Sequence, residues 1–252
     1  MANTLNVSVT DLGLLDFETT EYCELQNAAI IHRLVRGNSD DASVSEFDLG
    51  KTDGNWLASR NYRSWLIPEA YRLLQEHPAK KHFITITHPK WQKNIGDLDT
   101  LGLSGIEQWH ARRFTKLSRP VLAIGGIEVS LGVDCSGSRV WEGHSHLVVA
   151  GPRVAELSQA FLIERHYRKQ PYLRPVVVTP VGNLARQIAY SVKRIGARRI
   201  AYIGANGRQQ RRSLPLQLSE QVEFDRWLLS LPVGNRTVLF GCRRHGRRLC
   251  PM

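Results

Sequence analysis

Two kinds of hydrophobic pattern alternate along the chain and place its elements. Residues 82–87, H-F-I-T-I-T, switch between apolar and polar at each step, which predicts a β-strand. Residues 121–133 predict a second strand, loosened at Gly125-Gly126, with Ile127, Val129 and Leu131 on one face and Glu128 and Ser130 on the other. The turn residues Cys135-Ser136-Gly137-Ser138 follow, then a third strand over 140–150, so the two form a β-hairpin. Helical spacing predicts helices over 21–35, 68–76, 104–118, 152–169, 183–194 and 221–231. Pro68 suits a first helical turn, Ser104 with Glu107 reads as a capping box, and Asn183 reads as a cap. Further strands are predicted over 173–179, 199–203 and 237–240. Residues 38–53, rich in Ser, Asp and Gly, and the basic stretch 205–213 read as loops, and 241–249 ends the chain with four arginines.

Strand periodicity puts His144 and His146 of the third strand on one face and Ser145 on the other. Two imidazoles on one face suit a shared cation. Cross-strand partners share a face, so Glu128 joins the histidines only if its partner carries an even number. A loop of Cys135-Ser136-Gly137, with Gly137 in a left-handed conformation, pairs Glu128 with His144. A two-residue turn would set it beside Ser145. On the helix over 183–194, Leu184, Ile188, Val192 and Ile195 make an apolar stripe. Arg186, Tyr190, Lys193 and Arg194 make a polar one. Tyr190 and Lys193 are thus expected one turn apart on a cationic face. His82 and His88, flanking the first strand, stand as lesser candidates to approach a metal or DNA.

Charge sharpens the picture. The 252 residues carry a net +11. Residues 1–75 hold 6 basic and 11 acidic side chains, so the remainder carries +16. A body that basic is expected to meet a polyanion, nucleic acid before membrane. The hydrophobic share of 42% supports a sizeable core, with no run long enough to span a bilayer and no secretory pattern at the N-terminus. Cys23, Cys135, Cys242 and Cys250 form no C-x-x-C, which suits a reducing, cytoplasmic setting and argues against a disulfide framework or a closed structural zinc site. No Walker motif is present, so no helicase of that type is encoded here.

Taken together, His144-Ser145-His146, the strand Gly126-Ile127-Glu128-Val129-Ser130, the strand from His82 to His88, and Tyr190-Ser191-Val192-Lys193 resemble the motifs of the HUH superfamily. The likeness covers about residues 80–195 and is greatest to single-tyrosine rolling-circle replication initiators. One departure is Ser145, where the family usually has a bulky hydrophobic residue. The resemblance implies an α+β fold, a central antiparallel sheet flanked by helices in a ferredoxin-like arrangement, over residues 76–252. Residues 1–75 would then form an acidic N-terminal segment. It implies Mg2+ or Mn2+ held by His144, His146 and Glu128, with Tyr190 as nucleophile assisted by Lys193. It also implies single-stranded or hairpin origin DNA as substrate, with a host helicase and polymerase as partners. The same residues would serve a single-tyrosine transposase, and a DNA-binding derivative without cleavage would keep the fold and the basic surface.

Overall fold

The computed structural model describes residue 15 and residues 18–37, 49–161, 175–194, 196–205 and 209–252. In chain order these form α1 (Thr20–Gly37), α2 (Trp56–Glu76), β1 (Lys81–Asn94), α3 (Leu103–Phe114), β2 (Leu122–Val133), β3 (Arg139–Ala150), α4 (Val154–Ala160), β4 (Val176–Pro180), α5 (Leu184–Ser191), β5 (Arg198–Ile203), β6 (Gln209–Leu214), α6 (Leu218–Leu229), β7 (Thr237–Phe240), β8 (Cys242–His245) and β9 (Arg248–Pro251). Seven strands make one curled sheet flanked by helices, in the order β4-β1-β3-β2-β5-β6, and β7 also pairs with β2. The expected α+β class holds, but the sheet is mixed and not purely antiparallel, because β5 runs parallel to the end of β2.

Alternation along the central strands explains why both faces are covered. Ile84, Ile86, Ile127, Val129, Leu131, Trp141, Leu147 and Val149 enter one core with Phe114, Leu157, Phe161 and Trp227. Leu122, Ile124, Val148 and Ala150 enter a second core with Leu66, Ile67, Ala70, Leu73 and Leu74 of α2 and with Ile188 and Val192. Leu15 and α2 are thus built into the sheet's second core. A smaller cluster of Ile30, Leu34, Leu49 and Val222 joins α1 to α6.

Several elements differ from the sequence expectation. Pro68 lies inside α2, which begins twelve residues earlier under the Asn55 cap. A mid-helix proline costs about 3 kcal/mol. Burial of Leu66, Ile67, Leu73 and Leu74, at about 1.5–3 kcal/mol each, outweighs it. β1 continues past His88-Pro89 to Asn94 through an irregularity between Thr87 and Gln92. Gly102, not Ser104, caps α3, and no side-chain cap bond forms. Part of the expected basic loop is β6, and the arginine-rich end is the β8–β9 hairpin. The expected helix over 152–169 is seen as α4, and residues 162–174 lie outside the described residues. Among the described residues no helix is long and apolar enough to cross a membrane.

Candidate active site

The hairpin register is the one that parity predicts. Glu128 pairs with His144 and Ser130 with Glu142, while on the other side of β3 Thr85 pairs with His146 and Thr87 with His144. Gly137 is left-handed, at φ 86°. All these side chains fall on the face that carries the second core, just where its apolar rows stop at Gly126 and His146. His144, His146, Glu128 and Glu142 are buried, as is Ser145 on the opposite face. Ser145 Oγ has no hydrogen-bond partner among the described residues.

Each imidazole is held from behind by a threonine. His146 Nδ1 is 3.1 Å from Thr85 Oγ1, and His144 Nδ1 is 3.1 Å from Thr87 Oγ1. Both Nε2 atoms then face acidic neighbours. His146 Nε2 is 3.0 Å from Glu128 Oε2. His144 Nε2 is 2.9 Å from Ser130 Oγ and 3.8 Å from Glu142 Oε2. The carboxylates are in turn paired with cations. Lys193 Nζ is 3.1 Å from Glu128 Oε2, Arg199 Nη2 is 3.1 Å from Glu128 Oε1, and Arg211 Nη1 is 3.2 Å from Glu142 Oε2. Two carboxylates against three cations leave a local surplus of one positive charge, which favours an arriving phosphate.

Electrostatics keep Glu128 charged and His144 neutral. Burial pushes the Glu128 carboxyl up, but its contact with His146 and the charges of His146, Lys193 and Arg199 override burial and hold it down at about 2. Burial, then the charge of Arg199, holds His144 well below the ordinary imidazole value, against the opposing pull of Glu128. At neutral pH, Glu128 is a carboxylate and His144 a neutral imidazole.

The expected nucleophile arrives from α5. Asn183 caps that helix by accepting from Arg186 N at 2.9 Å. Gly126 lets its C-terminal end sit on β2: a Cβ there would lie 2.7 Å from Ser191 O and 3.2 Å from Arg236 O. The close approach stands the Tyr190 ring edge-on to His146, with centroids 5.1 Å apart, and Phe83 packs against both rings. Tyr190 is 43% exposed, so an incoming strand can reach it. Lys193 Nζ lies 3.9 Å from the Tyr190 ring centroid, between that ring and Glu128.

The structure thus gathers Glu128, His144, His146, Tyr190 and Lys193 in one place. Two expectations need correction. α5 ends at Ser191, so Arg194 leaves the polar stripe, turns inward over the Trp56 ring at 4.3 Å and donates to Gly54 O at 2.7 Å. His82 points to the sheet face opposite the site, and His88 packs against Trp91 and Trp109. Beside the Glu128–His146 pair stands a second carboxylate–imidazole pair, Glu142–His144, and among the described residues no group of three or more His, Cys, Asp or Glu is arranged to hold a metal ion. The donor set still suits a divalent cation at the first pair. Glu128 Oε2 and His146 Nε2 are buried, close together and without a well-directed hydrogen bond among the described residues.

Sequence reasoning missed Thr85, Thr87, Ser130, Glu142, Arg199 and Arg211. The first four were open to it, because each lies two residues from a site position or faces one across the ladder. The arginines come from a polar hairpin whose placement no local pattern shows. Comparison with protein-family models, with curated proteins and with solved structures gives no match.

Proposed function

We propose that this chain nicks and rejoins single-stranded DNA at a specific site through a 5′-phosphotyrosine intermediate, in the manner of a rolling-circle replication initiator. The observation that carries this reading is the meeting of Tyr190 with His146, with Lys193 lying between the tyrosine ring and Glu128. A half-exposed tyrosine over a buried imidazole–carboxylate pair, flanked by cations, has the parts that phosphodiester transfer needs.

Glu128 and His146, with His144 beside them, would hold Mg2+ or Mn2+, which supplies charge stabilisation at the scissile phosphate. Tyr190 Oη attacks phosphorus and gives up its proton. The Tyr190 O–P bond forms as the P–O3′ bond breaks, and the 3′-oxygen leaves and takes a proton. Lys193 and Arg199 turn their charge from Glu128 to the phosphate oxygens. The ester energy is kept for rejoining. A host polymerase could extend the free 3′-hydroxyl, and a separate helicase would supply the unwinding.

The deciding experiment incubates the protein with single-stranded DNA and Mn2+ and looks for a covalent adduct. We expect an adduct of protein with the 5′-phosphate end that is lost in Tyr190→Phe while DNA binding persists. A nick without adduct would favour water as nucleophile. A second reading is a DNA-binding derivative without cleavage. The pairing of Glu128 with Lys193 and Arg199 favours it, since the carboxylate is compensated without a metal. Binding with neither nick nor adduct is its signature. A single-tyrosine transposase would share the chemistry and differ only in the DNA end it cuts.

A further inference from the structure

Arg194 is a buried cation with no counter-charge in contact with it. It is 5% exposed, and its Nη2 donates to Gly54 O at 2.7 Å. Its Nε and Nη1 are buried without a hydrogen-bond partner among the described residues. One face of the guanidinium lies over the Trp56 ring, 4.3 Å from the centroid. Burial, then the charge of Arg236, pushes the group down to about 9, so it is still a cation at neutral pH. A charged donor left buried and unpaired is among the costlier features a fold can keep.

Arg194 also lines a cavity of about 210 Å³ bordered by α1, the start of α2 and α6. Phe224 and Leu228 of α6 give that cavity apolar walls, and Gln26, Arg33 and Asp225 give it polar ones. The fixed charges do not cancel. Asp225 is taken by Arg33, whose Nε and Nη2 both lie 2.8 Å from Oδ2, and by Gln221, which donates to Oδ1 at 3.0 Å. Two guanidiniums against one carboxylate leave a surplus of one positive charge on the walls. The N-terminal end of α2, at Trp56, adds partial positive charge of its own.

We propose that this cavity binds a small apolar carboxylate, whose oxygens accept from Arg194 and whose body lies against Phe224 and Leu228. Charge selects the ligand class. A monoanion matches the surplus, whereas a phosphate dianion would overshoot it beside the fixed Asp225 carboxylate. Size narrows it further. Cavities for drug-sized ligands run to about 300–1,000 Å³, so this smaller one suits an acid with a single ring. None of its walls belongs to the site of Glu128, His146 and Tyr190, and the inference stands or falls apart from the nicking reading.

Calorimetric titration of the full chain with benzoate is the test. Benzoate should bind saturably, one per chain. Benzyl alcohol, which keeps the ring and lacks the charge, should bind at least about tenfold more weakly, the loss of one charge-assisted hydrogen bond. Arg194→Met should abolish binding, with thermal unfolding as the check that the chain is folded. Arg194 also holds Gly54 and Trp56, so a second variant is needed in case that one does not fold. Gln26→Glu is isosteric, leaves those contacts in place and sets another carboxylate on the wall; it should weaken benzoate at least about tenfold. No binding of benzoate to the folded, unsubstituted chain overturns the proposal. Equal binding of benzyl alcohol, or undiminished binding of benzoate by folded Arg194→Met or by Gln26→Glu, overturns it as well. Phenyl phosphate binding more tightly than benzoate would overturn the carboxylate and assign the cavity to phosphate monoesters.

Discussion

Glu128 stands directly across the ladder from His144, yet its carboxylate reaches diagonally to His146, with Oε2 and Nε2 3.0 Å apart. Direct partners on a pleated sheet are not always functional partners, because long side chains reach diagonal neighbours as well. On the metal-dependent reading, a bound Mn2+ should therefore depend more on His146 than on His144. His146→Ala removes a direct ligand and is expected to weaken Mn2+ by at least about a hundredfold, more than the loss of an outer-shell partner does. His144→Ala should weaken it by less than about fivefold. Calorimetric titration of the two chains measures this, and equal losses would refute the diagonal assignment.

Gly126 is expected to be intolerant of a methyl group. A Cβ there meets Ser191 O at 2.7 Å, so α5 must lift away from the sheet. Gly126→Ala should cost on the order of 1–3 kcal/mol, as overpacking does. It should also slow adduct formation by at least about tenfold, because Tyr190 and Lys193 move together. Gly182→Ala, where the added carbon meets nothing within 4 Å, is the control and should be near neutral in both measurements.

Acid should destabilise the protein in two stages when divalent cations are removed. His144 is held well below the ordinary value of 6.5, so the unfolded chain binds its proton first, and stability falls as pH drops below 6.5. Glu128 is held at about 2 against an ordinary 4.5. Its contribution is present above 4.5 and is lost between 4.5 and about 2. That contribution is on the order of 3 kcal/mol at neutral pH. Denaturant unfolding between pH 7.5 and 5 should have a slope about one proton shallower in His144→Gln. Some slope remains from His110, which burial lowers to about 4. An unchanged slope in His144→Gln would show that its imidazole is not protected in the fold.

Salt should weaken DNA binding steeply. Each Lys or Arg that meets a phosphate releases counterions, with a logarithmic slope of about −0.7 per contact for single strands. Arg199→Gln and Arg211→Gln should each reduce the slope by about one contact and weaken binding similarly for all sequences. Fluorescence anisotropy over a salt series reads both. If neither substitution changes the slope, those arginines stay on their carboxylates when DNA binds.

The central hairpin and the site face were legible because strand periodicity is strict. Parity alone placed Glu128 opposite His144 and turned Ser145 away. The polar stripe of α5 was legible for Tyr190 for the same reason, on the helical period. The period misled at Arg194, because the helix stops at Ser191 and the chain then turns inward. β6, Q-Q-R-R-S-L, gave no strand signal: it is an edge strand whose polar side chains face solvent and, at Arg211, the Glu142 carboxylate. α2 was half hidden because Pro68 reads as a beginning, and only the tertiary burial of Leu66 and Ile67 carries the helix through it.

The inward turn of Arg194 changes where a minimal fragment of this protein can begin. Its guanidinium is fastened to Trp56 and Gly54, and Asp53 holds Arg236, which in turn donates to Ile127 O. Cutting the chain at residue 76 would remove all three anchors and uncover Leu122, Ile124, Val148 and Ile188. A fragment trimmed to the motif-bearing stretch would keep every residue of the chemistry and lose the frame that aims the tyrosine. Truncations for crystallography or engineering therefore have to start ahead of Asp53.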